Sequence, residues 1–236
     1  MLFRSFFTWC AGTERCRFGR RSGVGPAAAY AALASRVERQ PIRGRVGSEP
    51  RTLGPGELDI GTAGALYAGA SGYARLGEAL ADAAGGSPGA LLRLADAYTG
   101  RAAGGRYSNA TAGLYAVGCL DAPSPRAVEQ VAAVANRTAR VAPRFGASTV
   151  WLGLPCTFWP VAPAPVVLRG SVPVGPHVLV IGTTGDPATP YAWARALTAR
   201  LGDARLLTVT GTSHTAYPGG DECVRRLVDD YVDDLA

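Results

Sequence analysis

Lysine is absent from this 236-residue chain: all 24 of its basic residues are arginine. Histidine is nearly absent, present only as His177 and His214. With so few imidazoles, and five cysteines in the spacing of neither a zinc ribbon nor a finger, a metal centre is not expected. Large apolar side chains are few, at six Phe, four Trp and one Met. Ala leads the apolar 47%, and 31 Gly stand beside it; both bury little area each and favour a core of closely approaching helices. No apolar run nears the roughly 20 residues of a membrane span. The opening MLFRSFFTWC is interrupted by Arg4 and leads to no clean small-residue cleavage site, so it does not read as a signal peptide. The net charge of +6 raises nucleic acid as a partner. However, the arginines are scattered, and the densest group (Arg15, Arg17, Arg20, Arg21) has no interleaved aromatics for bases to stack on. A solvated basic face is the better reading.

What is present divides the chain near residue 160. Residues 1–160 read as a helical region. Over residues 26–40, Tyr30, Leu33 and Val37 share one face. Residues 41–56 are rich in Gly, Pro and Arg and read as a loop. Residues 57–84 suggest two short helices, one carrying Leu66 and Tyr67, the other Leu76 and Leu80. Ser87-Pro88 and Ser124-Pro125 both look like helix starts, a serine cap before a first-turn proline. Gly100 and Pro143 look like the matching ends. Cys10 and Cys16 could close a short loop and Cys119 and Cys156 could bridge two segments, leaving Cys223 over; five buried thiols is the alternative.

After residue 160 the pattern changes. Residues 177–182 form an apolar, β-branched run, too short for a helix and apolar on both faces, as a covered parallel strand should be. Residues 191–201 read as a helix and 206–210 as a second strand. Residues 222–235 read as a closing helix with Val224, Leu227, Val228 and Tyr231 inward. This is a βαβα unit of a parallel sheet, so the fold class is α/β.

Open α/β sheets place their chemistry on the loops that follow the strands. GTTGDPATP puts Asp186 after the first strand and GTSHTAY puts His214 after the second. An acid and then a histidine on successive strand ends is how a serine-hydrolase triad receives two of its members. Histidine takes the nucleophile's proton and returns it to the leaving group, while the acid fixes its tautomer. Taken singly, Asp186 could merely cap the helix near Pro190 and His214 could be a surface loop residue. Their matching positions favour a catalytic pair. His177, at a strand start, reads as structural.

GTTGDPATPYAWA, LLTVTGTSHTAY and the Cys223-Val224 closing helix resemble the tripeptidyl-aminopeptidase-like branch of the α/β-hydrolases, exopeptidases related to proline iminopeptidases. FFTWCAGTERC, LLRLADAYTGR, YAVGCLDAP and CTFWP are weaker echoes. The resemblance implies Asp186 as triad acid and His214 as base, a peptide substrate, no cofactor and an extracytoplasmic parent enzyme. It implies a partial α/β-hydrolase fold: residues 1–160 as the helical lid, 161–236 as the last part of the core. The family's serine sits in a G-x-S-x-G elbow between a strand and a helix. No such pentapeptide is read in this chain: Ser71 in GASGY has the wrong spacing, and Ser213 merely precedes the histidine. The expectation is the C-terminal part of a longer enzyme, lacking its nucleophile, its oxyanion segment and the earlier strands. A separately encoded N-terminal half could supply these. The competing reading is a non-catalytic binding or complementing module.

Overall fold

The computed structural model describes residues 2–20, 23–164, 178–186, 188–219 and 221–234. They divide into two compact units, one of Met1–Leu33, Ala63–Gly85 and Arg169–Ala236 and the other of Ala34–Thr62 and Gly86–Leu168. His177 lies outside the described residues.

In chain order the elements begin with α1 (Leu2–Gly12), α2 (Gly25–Arg39), β1 (Ile42–Val46), β2 (Glu49–Leu53), α3 (Pro55–Tyr67), α4 (Ala70–Ala84) and α5 (Gly89–Thr99). They continue through α6 (Ala110–Asp121), α7 (Val128–Val141), α8 (Gly146–Leu152), α9 (Leu154–Thr157), β3 (Leu179–Thr183), α10 (Tyr191–Leu201), β4 (Arg205–Val209) and α11 (Glu222–Asp233).

In the first unit α1 lies against α4. Phe6 is fully buried, its ring 5.7 Å from that of Tyr73 in an edge-on contact. A Cys10–Cys16 disulfide ties down the residues after α1. The Cys16 sulfur fills the space beside Gly77, where a Cβ would come within 2.8 Å of it. The same unit holds a parallel pair, β3 with β4, in the register Leu179↔Arg205 to Thr183↔Val209. Val224 and Val228 of α11, with Ala216, form a small core against Leu179, Ile181, Leu207 and Val209. Gly182 lets α10 approach β3, since a Cβ there would lie 2.8 Å from Ala194.

In the second unit the stretch expected to be a loop at residues 41–56 is an antiparallel hairpin, β1 with β2, paired from Ile42↔Leu53 to Val46↔Glu49. Gly47 and Ser48 make its two-residue turn, and Gly47 at φ 59° takes the left-handed conformation such turns require. Alternation was present in Ile42, Gly44 and Val46, but the arginines between them hid it. The hairpin packs on α5. Gly44 faces the Pro88 ring so closely that a Cβ would be 2.5 Å from it. Arg51 bonds Asp96 at 2.8 Å, and Arg101 reaches both Glu49 (3.3 Å) and Asp96 (3.7 Å). A second disulfide, Cys119–Cys156, joins α6 to α9, and Cys223 is free and exposed.

The helices anticipated around Tyr30 and Leu33, Leu66, and Leu76 and Leu80 are present with those side chains buried. Two details differ. Neither Ser87 nor Ser124 caps its helix: α5 and α7 begin after Pro88 and Ala127, with no side-chain cap bond at either start. Leu227 is half exposed rather than inward, because the inner face of α11 is the narrower Val224–Val228 stripe.

Candidate active site

The loops after β3 and β4 are bound to each other. Thr184 N–H donates to the Val209 carbonyl and Gly185 N–H to the Gly211 carbonyl, both at 2.9 Å, and Gly211 N–H donates to Thr184 Oγ1 at 3.3 Å. Gly185 permits this, since a Cβ there would sit 2.6 Å from the Gly211 carbonyl oxygen. Parallel pairing ends both strands at the same level, so these bonds carry Asp186 and His214 to one rim of the sheet.

There His214 Nδ1 lies 3.1 Å from both carboxylate oxygens of Asp186. The Asp186 side chain is only 5% exposed and the His214 side chain 32%. Asp186 Oδ1 also accepts the N–H groups of Ala188 (2.8 Å) and Thr189 (3.0 Å), and Oδ2 accepts the Thr189 hydroxyl (2.8 Å). One carboxylate thus closes the 186–189 turn and meets His214, but it does not cap the helix, since α10 starts after Pro190 with no side-chain cap bond. Burial by itself would raise the Asp186 carboxyl, but the donors from Thr189 and Ala188, with His214, outweigh it and hold it below the usual carboxylate value.

With a carboxylate acceptor on Nδ1, the hydrogen of a neutral imidazole sits there and Nε2 keeps its lone pair. That state can accept a proton from a hydroxyl, and the Asp186 charge stabilises the imidazolium that forms. Beside the pair is a cavity of about 250 Å³ lined by Ile181, Thr183, Asp186, Thr189, Thr215, Ala216 and Tyr217. Thr215 holds φ 66°, uncommon for a β-branched residue. Tyr217 is fastened to α11 through its hydroxyl, which donates to Asp229 at 2.9 Å; that bond raises its pKa.

Three contributors were not singled out in the sequence. Thr189, within GTTGDPATP, had a usable signal in the Asp-Pro spacing typical of a side-chain-closed turn. Tyr67 and Gly69, in the turn between α3 and α4, had no local signal. The Tyr67 carbonyl accepts the His214 N–H at 3.3 Å, and its ring meets the imidazole edge-on at 5.2 Å. Gly69, at φ 59°, backs onto Ser213, whose Cα would lie 3.0 Å from a Cβ there.

One reading of the sequence needs correction. Gly85-Gly86-Ser87-Pro88-Gly89 does spell G-x-S-x-G. It is not an elbow: α4 precedes it and α5 follows, so Ser87 stands on an exposed helix–helix turn, and it falls in the second unit while Asp186 and His214 belong to the first. Ser71 is in the first turn of α4, donating to the Ala68 carbonyl at 2.8 Å. None of the described strands leads into a G-x-S-x-G turn. Among the described residues no three His, Cys, Asp or Glu side chains are grouped to hold a metal, and no helix is long and apolar enough to cross a membrane.

The family model described as TAP-like protein, an α/β-hydrolase family, matches residues 142–235. Carboxylesterase B of Mycobacterium tuberculosis is 36% identical over 233 residues, which is 97% of this chain and 44% of that protein. Serine protease Hip1 of Mycobacterium tuberculosis is 32% identical over 241 residues, 98% of this chain and 45% of that protein. Serine protease Hip1 of Mycobacterium bovis matches to the same extent. The chain thus spans a little under half the length of these relatives.

Proposed function

We propose, from the match of residues 142–235 to the TAP-like α/β-hydrolase family model, that the chain supplies the acid and base of a serine hydrolase whose attacking serine comes from outside residues 1–236. The observation that carries this is the 3.1 Å contact between His214 Nδ1 and Asp186 on the rim of β3 and β4. In the assembled enzyme His214 Nε2 takes the serine proton as the hydroxyl oxygen attacks the substrate carbonyl. It then returns that proton to the leaving group, and water repeats the cycle on the acyl-enzyme. Asp186 remains ionised throughout.

The substrate we favour is the N-terminal part of a peptide, cleaved to release a short peptide or single residue. The loop motifs around Asp186 and His214 and the similarity to a serine protease support this. Similarity to a carboxylesterase supports an ester as second substrate class, since the same acid and base serve both acyl transfers. The disulfides Cys10–Cys16 and Cys119–Cys156 favour an extracytoplasmic site of action.

Residues 1–236, offered tripeptidyl and aminoacyl p-nitroanilides and p-nitrophenyl esters, should give no turnover above that of the His214→Ala variant. Addition of a polypeptide carrying the strand–elbow–helix serine should restore hydrolysis that His214→Ala removes. Turnover by the chain alone, lost in His214→Ala, would overturn the external nucleophile; loss in Ser87→Ala as well would assign that role to Ser87.

A further inference from the structure

We infer that Tyr67 is a positioning residue for His214: the C-terminal end of α3 holds the imidazole against Asp186. This rests on the acid–base reading above and adds a residue from a different part of the chain. Three contacts carry it, all within the first unit. The Tyr67 carbonyl, one of the last-turn acceptors that α3 cannot satisfy internally, takes the His214 N–H at 3.3 Å. The Tyr67 ring stands at 71° to the imidazole with centroids 5.2 Å apart, the edge-on geometry that aromatic pairs prefer. Gly69 closes the platform from beneath, leaving 3.0 Å between its missing Cβ position and Ser213 Cα.

The His214 loop needs such a support. Asp186 restrains the imidazole only through Nδ1, and a single bond leaves the ring free to swing about it. The chain turns sharply directly after His214, with Thr215 at φ 66°, a conformation that persists only where surroundings enforce it. Contacts from one residue thus hold both the backbone and the ring of His214.

The test is solution NMR of residues 1–236 with labelled histidine. Wild type should show cross-relaxation between the Tyr67 and His214 ring protons and a downfield Nδ1–H signal from the bond to Asp186. Absence of the Nδ1–H signal in wild type, and equally in Asp186→Asn, would defeat the acid–base pair itself. Its presence without any ring–ring cross-relaxation would overturn the Tyr67 inference alone. In Tyr67→Leu the Nδ1–H should exchange with water about tenfold faster, while Tyr67→Phe, which retains the ring, should match wild type. Equal exchange in a folded Tyr67→Leu would refute the role. Should that variant fail to fold, Gly69→Ala, which drives a methyl toward Ser213, must show the faster exchange instead.

Discussion

Asp186 does two jobs with one carboxylate, and the chemistry of both depends on its charge. It closes the turn before α10 by accepting the Ala188 and Thr189 N–H groups, and it holds His214 Nδ1. Because its folded-state pKa is depressed below the ordinary 3.8, the native state resists protonation more than the unfolded chain does. Its stabilisation is therefore complete above the unfolded value and is lost as pH falls through the lower folded value. Urea titrations across the acid range should show stability falling toward low pH in wild type and a shallower slope in Asp186→Asn, which keeps an acceptor but no titrating group. An identical slope would mean that the carboxylate is not held as described. Asp186 and His214 were legible in the sequence because strand, loop and residue type coincide there. Tyr67 was not, because its role is created by the return of the chain to α3, which no local pattern encodes.

The hairpin is the element that sequence reading missed. Its alternation is carried by Ile42, Gly44 and Val46 against Arg43 and Arg45, and Pro50 interrupts β2. Arginine and proline are poor strand signals, while the Gly47-Ser48 turn was a usable one. Helices were read more reliably because their apolar spacing is filled by the residues that pack. The two hairpin glycines should respond differently to a methyl group. At Gly47 the surroundings are open, so Gly47→Ala meets only the left-handed backbone cost, about 1–2 kcal/mol. Gly44→Ala instead drives a Cβ to 2.5 and 2.7 Å from the Pro88 ring, an overpacking worth about 1–3 kcal/mol. Removing the ring should relieve it: in a denaturation cycle, Pro88→Ala should lower the cost of Gly44→Ala but leave that of Gly47→Ala unchanged. Equal costs in both backgrounds would mean that β1 and the start of α5 are not in contact through this pair.

Burial is unevenly distributed over the molecule. Among the described residues, the large side chains sealed most completely from solvent (Phe6, Tyr30, Leu58, Leu80 and Leu92 included) all precede residue 93. The β3–β4 pair is covered less completely: Val180 and Thr183 are buried, but Leu179, Ile181, Leu207 and Val209 are intermediate, and α10 buries no residue while exposing Trp193 at 62% and Leu197 at 46%. A strand pair with so little apolar area removed from water is held weakly, since burial supplies only about 25 cal/mol per Å². Among the described residues β3 pairs only with β4, so each has an unpaired edge. The amides of Leu179–Thr183 and Arg205–Val209 should accordingly exchange well before those of α4 and α5 in a hydrogen-exchange mass measurement, because opening the pair sacrifices few contacts. A segment that brings the elbow serine on neighbouring strands would cover that edge and the apolar side of α10. Its addition should slow exchange in both strands and leave α5, already sealed, as it was. Protection of β3 and β4 equal to that of α5 in the chain alone would mean that this sheet needs no further strands, and a serine brought on neighbouring strands would have no edge to join.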